Sequence, residues 1–153
     1  MPVARRSRKI DAPPDRVWAV IGDPHHMPRW WPGVERMEGV ERDRFTQVHK
    51  TRKGRPVRMD FHVLQSEPPG PSGDPPGHCL WEQEIEGTPF ARVLAEAITE
   101  ILLEQADGGT RITLALSQKL RGYSRTGAFM LRRATKGKLE EALDGLERIV
   151  TGP

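Results

Sequence analysis

One cysteine, one tyrosine and no apolar run long enough to cross a bilayer are what this chain of 153 residues has least of. Cys79 has no partner for an internal disulfide and cannot alone supply a thiolate cage, which excludes a stapled secreted scaffold and a zinc-finger framework. A spanning helix needs about 20 consecutive apolar residues, and a composition that is 29% charged offers no such stretch. Met1-Pro2-Val3-Ala4-Arg5-Arg6 does not lead into the apolar segment and small-residue cleavage site of a secretory leader. The expected address is therefore cytoplasmic, with no membrane insertion.

Signatures of familiar chemistry are also scarce. There is no Gly-x-Ser-x-Gly elbow, no phosphate-cradling glycine loop and no dinucleotide fingerprint, so hydrolase, P-loop and nicotinamide chemistry lack support and no cofactor is expected. His25 and His26 stand beside Asp23, but adjacent histidines do not share a helix face and no His-x-x-x-His spacing exists, so no metal site is expected either. Charge is nearly balanced, 24 basic residues against 21 acidic. Arg5-Arg6-Ser7-Arg8-Lys9 and Arg52-Lys53-Gly54-Arg55 are the dense basic clusters, without a recognition module or stacking aromatics beside them, so no DNA partner is expected and they read as strand ends and a hairpin tip.

The sequence does carry a strand-rich pattern closed by one long helix. Residues 3–10 read as a strand that stops at Asp11-Ala12-Pro13-Pro14-Asp15, where Asp11 is a candidate N-cap for a helix showing Val17, Trp18, Val20 and Ile21 on one face. Prolines 24, 28 and 32 limit the next segment to a short second helix. Val34–Val40, Arg44–Thr51 and Pro56–Gln65 read as an antiparallel meander, the third clearest because Val57, Met59, Phe61 and Val63 alternate with Arg58, Asp60 and His62. Residues 68–77 are a flexible Pro/Gly-rich loop. Cys79, Trp81, Gln83 and Ile85 then alternate with Leu80 and three glutamates. Residues 91–105 fit two periods: Glu96, Glu100 and Glu104 have helical spacing, yet Val93 to Leu103 also alternate at period two and Ala106-Asp107-Gly108-Gly109-Thr110 is a hairpin turn. Strand is preferred. From Ser124 to about Val150 a helix roughly 40 Å long carries Leu131, Thr135, Leu139, Ala142, Leu143, Leu146 and Val150 on one face. Its cations precede its carboxylates, against the helix dipole.

Four passages carry a resemblance. Ile10-Asp11-Ala12-Pro13-Pro14-Asp15-Arg16-Val17-Trp18, Arg29-Trp30-Trp31-Pro32-Gly33-Val34, Gly108-Gly109-Thr110-Arg111-Ile112-Thr113 and Lys136 to Leu146 are similar to the START and birch-pollen-allergen-related superfamily, SRPBCC, in its polyketide cyclase/dehydrase-like branch. The resemblance spans nearly the whole chain and implies one α+β helix-grip domain over 1–153. In it, a curved antiparallel sheet of about seven strands wraps around the long C-terminal helix, with two short helices between strands 1 and 2. It also implies a cavity between sheet and helix for a small hydrophobic or aromatic molecule, lipid-like or polyketide-like, in a monomer or homodimer. Two alternatives come with it: a polyketide cyclase, aromatase or dehydratase using the same cavity, and an interaction protein meeting RNA or the ribosome through the basic segments.

Within that frame the candidate lining comes from strand alternation. If Phe45 faces inward, Gln47 and His49 do too; the alternative has Thr46 and Val48 inward and His49 exposed. Gln47 would orient a ligand carbonyl or hydroxyl, and His49, with Tyr123 as second candidate, would move protons. Met59, Phe61, Trp81 and Gln83 from the sheet, with Leu131 and Thr135 from the helix, complete the expected ligand-binding set. Cys79 reads as a small buried hydrophobe. Gly127 and Gly137 either permit close backbone approach or leave space for a ligand.

Overall fold

The computed structural model describes residues 3–51, 53–122 and 125–152; Tyr123, a candidate proton carrier, lies outside them. The chain runs β1 (Val3–Ile10), α1 (Pro14–Ile21), a 3₁₀ turn (Pro24–His26), α2 (Met27–Trp30), β2 (Val34–Glu38), β3 (Arg44–Lys50), β4 (Pro56–Glu67), β5 (Gly77–Gln83), a second 3₁₀ turn (Pro89–Arg92), β6 (Leu94–Ala106), β7 (Gly109–Leu120) and α3 (Arg125–Thr151). The strands form one antiparallel sheet in the order β1-β7-β6-β5-β4-β3-β2. Strands β2 to β7 succeed one another as a meander. β1 alone is displaced to the far edge, so α1 and α2 must carry the chain across the width of the sheet. This is the α+β helix-grip architecture.

Register fixes which side chains face the helix. Phe45 lies opposite Phe61, Phe61 opposite Gln83, Trp81 opposite Thr99, and Ile101 and Leu103 opposite Leu114 and Ile112. These inward residues meet Leu139, Leu143 and Leu146 of α3, all fully buried, in a single core that also takes in Ile10, Val17, Met27 and Trp30. Each such side chain contributes roughly 1.5–3 kcal/mol on leaving water. Residues 91–105 are the β6 strand preceded by a 3₁₀ turn, and the reason for their double reading is geometric: residues four apart share one face in a strand as well as in a helix. Pairing with both β5 and β7 selects the strand.

Asp11 does not cap α1. The cap is Pro13, with no side-chain hydrogen bond, and Pro14 occupies the first helical turn where a missing N–H leaves nothing unpaired. The reversed charge order of α3 also finds its cause. On edge strand β1, Arg6 and Arg8 point inward with Ala4 and Ile10, and Arg8 bonds Glu140 at 2.9 Å and Asp144 at 2.6 Å, with Glu147 at 3.3 Å. Arg6 Nε reaches Glu140 at 3.1 Å. The acidic half of α3 is thus matched to a strand more than a hundred residues earlier.

On the opposite flank of α3, Gly145 meets α2. A Cβ there would lie 3.0 Å from both Cα and O of Trp30, so the two helices touch backbone to backbone. The 68–77 loop sits at the end of the sheet carrying α1: Gly77 packs near Trp18, Gly73 packs on Gln105, and backbone hydrogen bonds join Gly70 to Pro75 and Gly73 to Gly70.

Candidate ligand site

Gln47 is 1% exposed and Phe45 packs into the core, so β3 presents Phe45, Gln47 and His49 inward. The outward alternates Thr46 and Val48 are buried as well, because Thr46 donates to Asp60 and the outer face carries the Arg36–Glu38–Arg58 ion-pair chain over β2, β3 and β4. Both faces of this strand are therefore covered, which the alternation alone could not separate.

An aromatic wall runs along the inner face. Phe45 stacks on Phe61 with centroids 5.2 Å apart and meets the edge of Trp81 at 5.3 Å; Trp81 meets Trp31 at 6.0 Å, and Trp31 meets Trp30 at 5.4 Å. Trp30 is tied to the helix-to-strand passage, whereas Trp31 joins the wall. Met59 packs beside it, half-buried and in register with Gln47.

Polar groups interrupt this wall at defined points. Gln47 Oε1 lies 2.9 Å from His49 Nε2, while Gln47 Nε2 donates to Met27 Sδ at 3.4 Å. Thr135 Oγ1, buried on α3, donates to Gln118 Oε1 on β7 at 3.2 Å. Gln83 is 5% exposed and its Nε2 has no hydrogen-bond partner among the described residues; Trp30 Nε1 is the other buried nitrogen in that position. An unmade hydrogen bond of this kind costs about 1–3 kcal/mol.

By sequence Lys138 belongs with the solvated cations of the long helix, but the structure turns it inward. Its Nζ sits 5.7 Å from the centroid of the Trp31 ring, within cation–π range. Burial lowers the pKa of its ammonium, partly offset by Glu141 one turn on. His49 is lowered too, first by burial and then by the charge of Lys138, so its imidazole is neutral at pH 7. Cys79 has the opposite fate for the same reason: burial pushes its thiol up to about 12, which makes it a hydrophobe and not a nucleophile.

Two surface clefts are bordered by some of these residues. Leu131 and Gln118 border a largely apolar pocket of about 370 Å³ with Val93, Leu94 and Leu120, beside the first half of α3. Trp81 and Cys79 border a larger one of about 640 Å³ at the other end, with Ile21, Val40 and Val63. The predicted residues are thus distributed: Gln47, His49, Met59, Phe61 and Gln83 share the inner face, Leu131 and Thr135 stand on α3, and Trp81 reaches toward the far cleft. Sequence reasoning misses Lys138, Gln118 and Thr99. The last two lie at inward positions of strands whose register the sequence does not give, and only the flank of Lys138 next to the Thr135–Leu139 stripe hints at its direction. Asp23 caps the 3₁₀ turn by accepting from the His25 backbone N–H at 3.0 Å, a structural use of the Asp-x-His-His run.

The family model described as polyketide cyclase / dehydrase and lipid transport matches residues 1–151. The chain belongs to that family. Among solved structures, the di-domain ARO/CYC BexL from the BE-7585A biosynthetic pathway is 22% identical with a TM-score of 0.73, covering 100% of this chain and 48% of its own. The di-domain ARO/CYC StfQ from the steffimycin biosynthetic pathway is 13% identical with a TM-score of 0.75, over 98% of this chain and 51% of its own. This chain therefore spans about half the length of those di-domain proteins. A START superfamily protein from Mycobacterium smegmatis aligns over 97% of each chain at 11% identity, with a TM-score of 0.72. At such identities the likeness is one of fold. No curated protein matches the sequence.

Proposed function

We propose that this family member binds a small, mainly hydrophobic or aromatic molecule between the concave sheet face and the first half of α3. The observation that carries the reading is the orphan Gln83 Nε2, fully buried on an aromatic wall, where a ligand carbonyl or hydroxyl oxygen would supply the missing acceptor. Phe61, Met59, Trp81, Leu131 and Thr135 would contact the apolar body, and Gln47 would hold a second polar group. Ligand pockets with an apolar lining and few convergent polar groups have this character.

A second reading, cyclisation or dehydration of a polyketide-like chain, is favoured by one feature. His49 is partly buried, kept neutral, and fixed by Gln47, so it would take a proton from a carbon flanked by carbonyls. The RNA or ribosome reading is weakened because Arg6 and Arg8 of the N-terminal basic cluster already bond Glu140, Asp144 and Glu147.

Native mass spectrometry of the purified protein tests the binding reading. It predicts a copurifying compound that leaves on denaturation, and a Gln83→Leu variant that retains less of it. A protein that is empty as purified and stays empty after incubation with aromatic and lipid mixtures rejects it. Turnover of a polyketide-like substrate that is lost in His49→Ala, with stability retained, would favour the enzyme.

A further inference from the structure

We propose that the first half of α3 docks on an anionic lipid surface, with Phe129 and Met130 entering the acyl boundary while Arg132, Arg133 and Lys136 meet phosphate headgroups. The inference does not depend on the ligand-binding reading.

Charge is distributed unevenly along the chain. Residues 108–139 hold eight of the 24 cations and none of the 21 carboxylates, so a chain that is nearly balanced as a whole joins one strongly basic stretch to a net-acidic remainder. Elsewhere arginines are matched within the fold: Arg6 and Arg8 by the acidic end of α3, Arg36 and Arg58 by Glu38, and Arg44 by Glu41. Arg132 and Arg133 are exposed, Lys136 is half-buried, and among the described residues none of the three makes a salt bridge. The acidic half of the helix therefore has its partner in β1. The basic half has none, and its attraction is left for something outside the chain.

Cations alone would suit a nucleic acid as well as a membrane. The apolar content separates the two. Among the described residues, the large hydrophobic side chains more than half exposed are Val93, Phe129 and Met130, and two of them stand on this helix. Arg133 follows Phe129 by four residues and Met130 by three, so it neighbours both on the helix surface. The next turn continues the open face with exposed Ala134 and with Gly137, where a Cβ would meet nothing within 4 Å. Val93 borders an apolar cleft together with Leu131 of the same helix, and Arg121 is held beside it by a 2.9 Å backbone hydrogen bond to the Val93 carbonyl. Single strands are held on aromatic stacking platforms; one phenylalanine beside a methionine is not such a platform. It does match a bilayer interface, where guanidinium groups stay among the headgroups and apolar side chains sink below them. A second copy of the chain fits less well, because a two-fold contact would set this basic face against itself.

Co-sedimentation with vesicles tests the inference. The wild type should bind phosphatidylcholine vesicles containing about one-third phosphatidylglycerol, should ignore pure phosphatidylcholine, and should release as salt is raised. Replacing both apolar residues, Phe129→Ser with Met130→Ser, should weaken partition at least about tenfold, whereas Phe129→Leu with Met130→Leu should retain it. Arg132→Glu with Arg133→Glu should weaken it by about thirtyfold or more. Lys53→Glu with Arg55→Glu makes the same change in net charge at the exposed hairpin tip and should leave partition within about threefold of wild type. All four replaced pairs are exposed, so thermal melts should match the wild type. Equal losses from the two charge-reversed variants would overturn the inference, because attraction would then follow total charge and not this face. Partition that is indifferent to the serine pair would overturn it too. So would no partition into the mixed vesicles, whether the face then proves to hold RNA or a second copy.

Discussion

The two halves of α3 do different work. From Leu139 to Val150 the stripe of Leu139, Ala142, Leu143, Leu146 and Val150 is fully buried, Gly145 touches the backbone of Trp30, and Arg6 and Arg8 bond the acidic flank. Before Leu139 the helix is held loosely: Thr135 is buried, Leu131 is partly buried, and Phe129 and Met130 are 56% and 64% exposed. A helix gripped along its whole length would need no such contrast. The second half folds the protein; the first is tied to the sheet side by the Thr135–Gln118 hydrogen bond and to Trp31 by Lys138, and is the half that the proposed ligand would meet.

The sharpest break between the halves should come from paired leucines. Leu143→Ala should lower stability by roughly 2–5 kcal/mol in urea denaturation, because a fully enclosed site cannot collapse around the void. Leu131→Ala should lose no more than about 1 kcal/mol, since its side chain is already partly in water. Equal losses would remove the distinction.

Glycines sharpen it next. Gly145→Ala places a methyl against the Trp30 backbone and should destabilise by about 1–3 kcal/mol. At Gly137 a Cβ meets nothing within 4 Å, so Gly137→Ala should stabilise by roughly 0.5–1 kcal/mol through helix propensity alone. Arg8→Ala removes three carboxylate contacts, but Glu140, Asp144 and Glu147 are substantially exposed; a loss of about 1 kcal/mol, shrinking as salt is added, is expected.

The smallest effect is on pH dependence. Burial and Lys138 hold the folded-state pKa of His49 below its ordinary 6.5, so the unfolded chain binds this proton first. The stabilisation from a neutral His49 is complete above 6.5 and is lost as pH falls through that value to the lowered one, because protons then favour the unfolded state. His49→Gln should flatten the stability profile in that window, as followed by thermal melts between about pH 5 and 7. An unchanged slope would mean that His49 is solvated.

These contrasts also show which parts of the molecule are legible from residues alone. Periodicity locates the buried stripe of α3 and the alternation in β4, because each depends only on neighbours a few positions away. It cannot show that Arg8 pairs with Glu140, 132 residues later, so the reversed charge order reads as a small penalty instead of a matched surface. The same limit applies to the site. Gln47, His49 and Gln83 are legible because strand alternation places them with Phe45 and Trp81, two aromatics of the core. Lys138 is not, since a lysine on a helix turns inward only when a neighbour such as Trp31 occupies its flank. Gly145 carries a usable signal, a glycine inside the apolar stripe between Leu143 and Leu146, while Gly127 and Gly137 draw attention for lying outside it.

Fluorescence titration with the neutral probe N-phenyl-1-naphthylamine, run on the wild type and on Thr135→Phe, tests the gripped-interior account most directly. The account predicts saturable uptake of one probe per chain by the wild type, and its loss in a Thr135→Phe protein that still folds because the new ring fills open space. No saturable uptake by the wild type, or a Thr135→Phe chain that cannot fold because the interior was already solid, would contradict it.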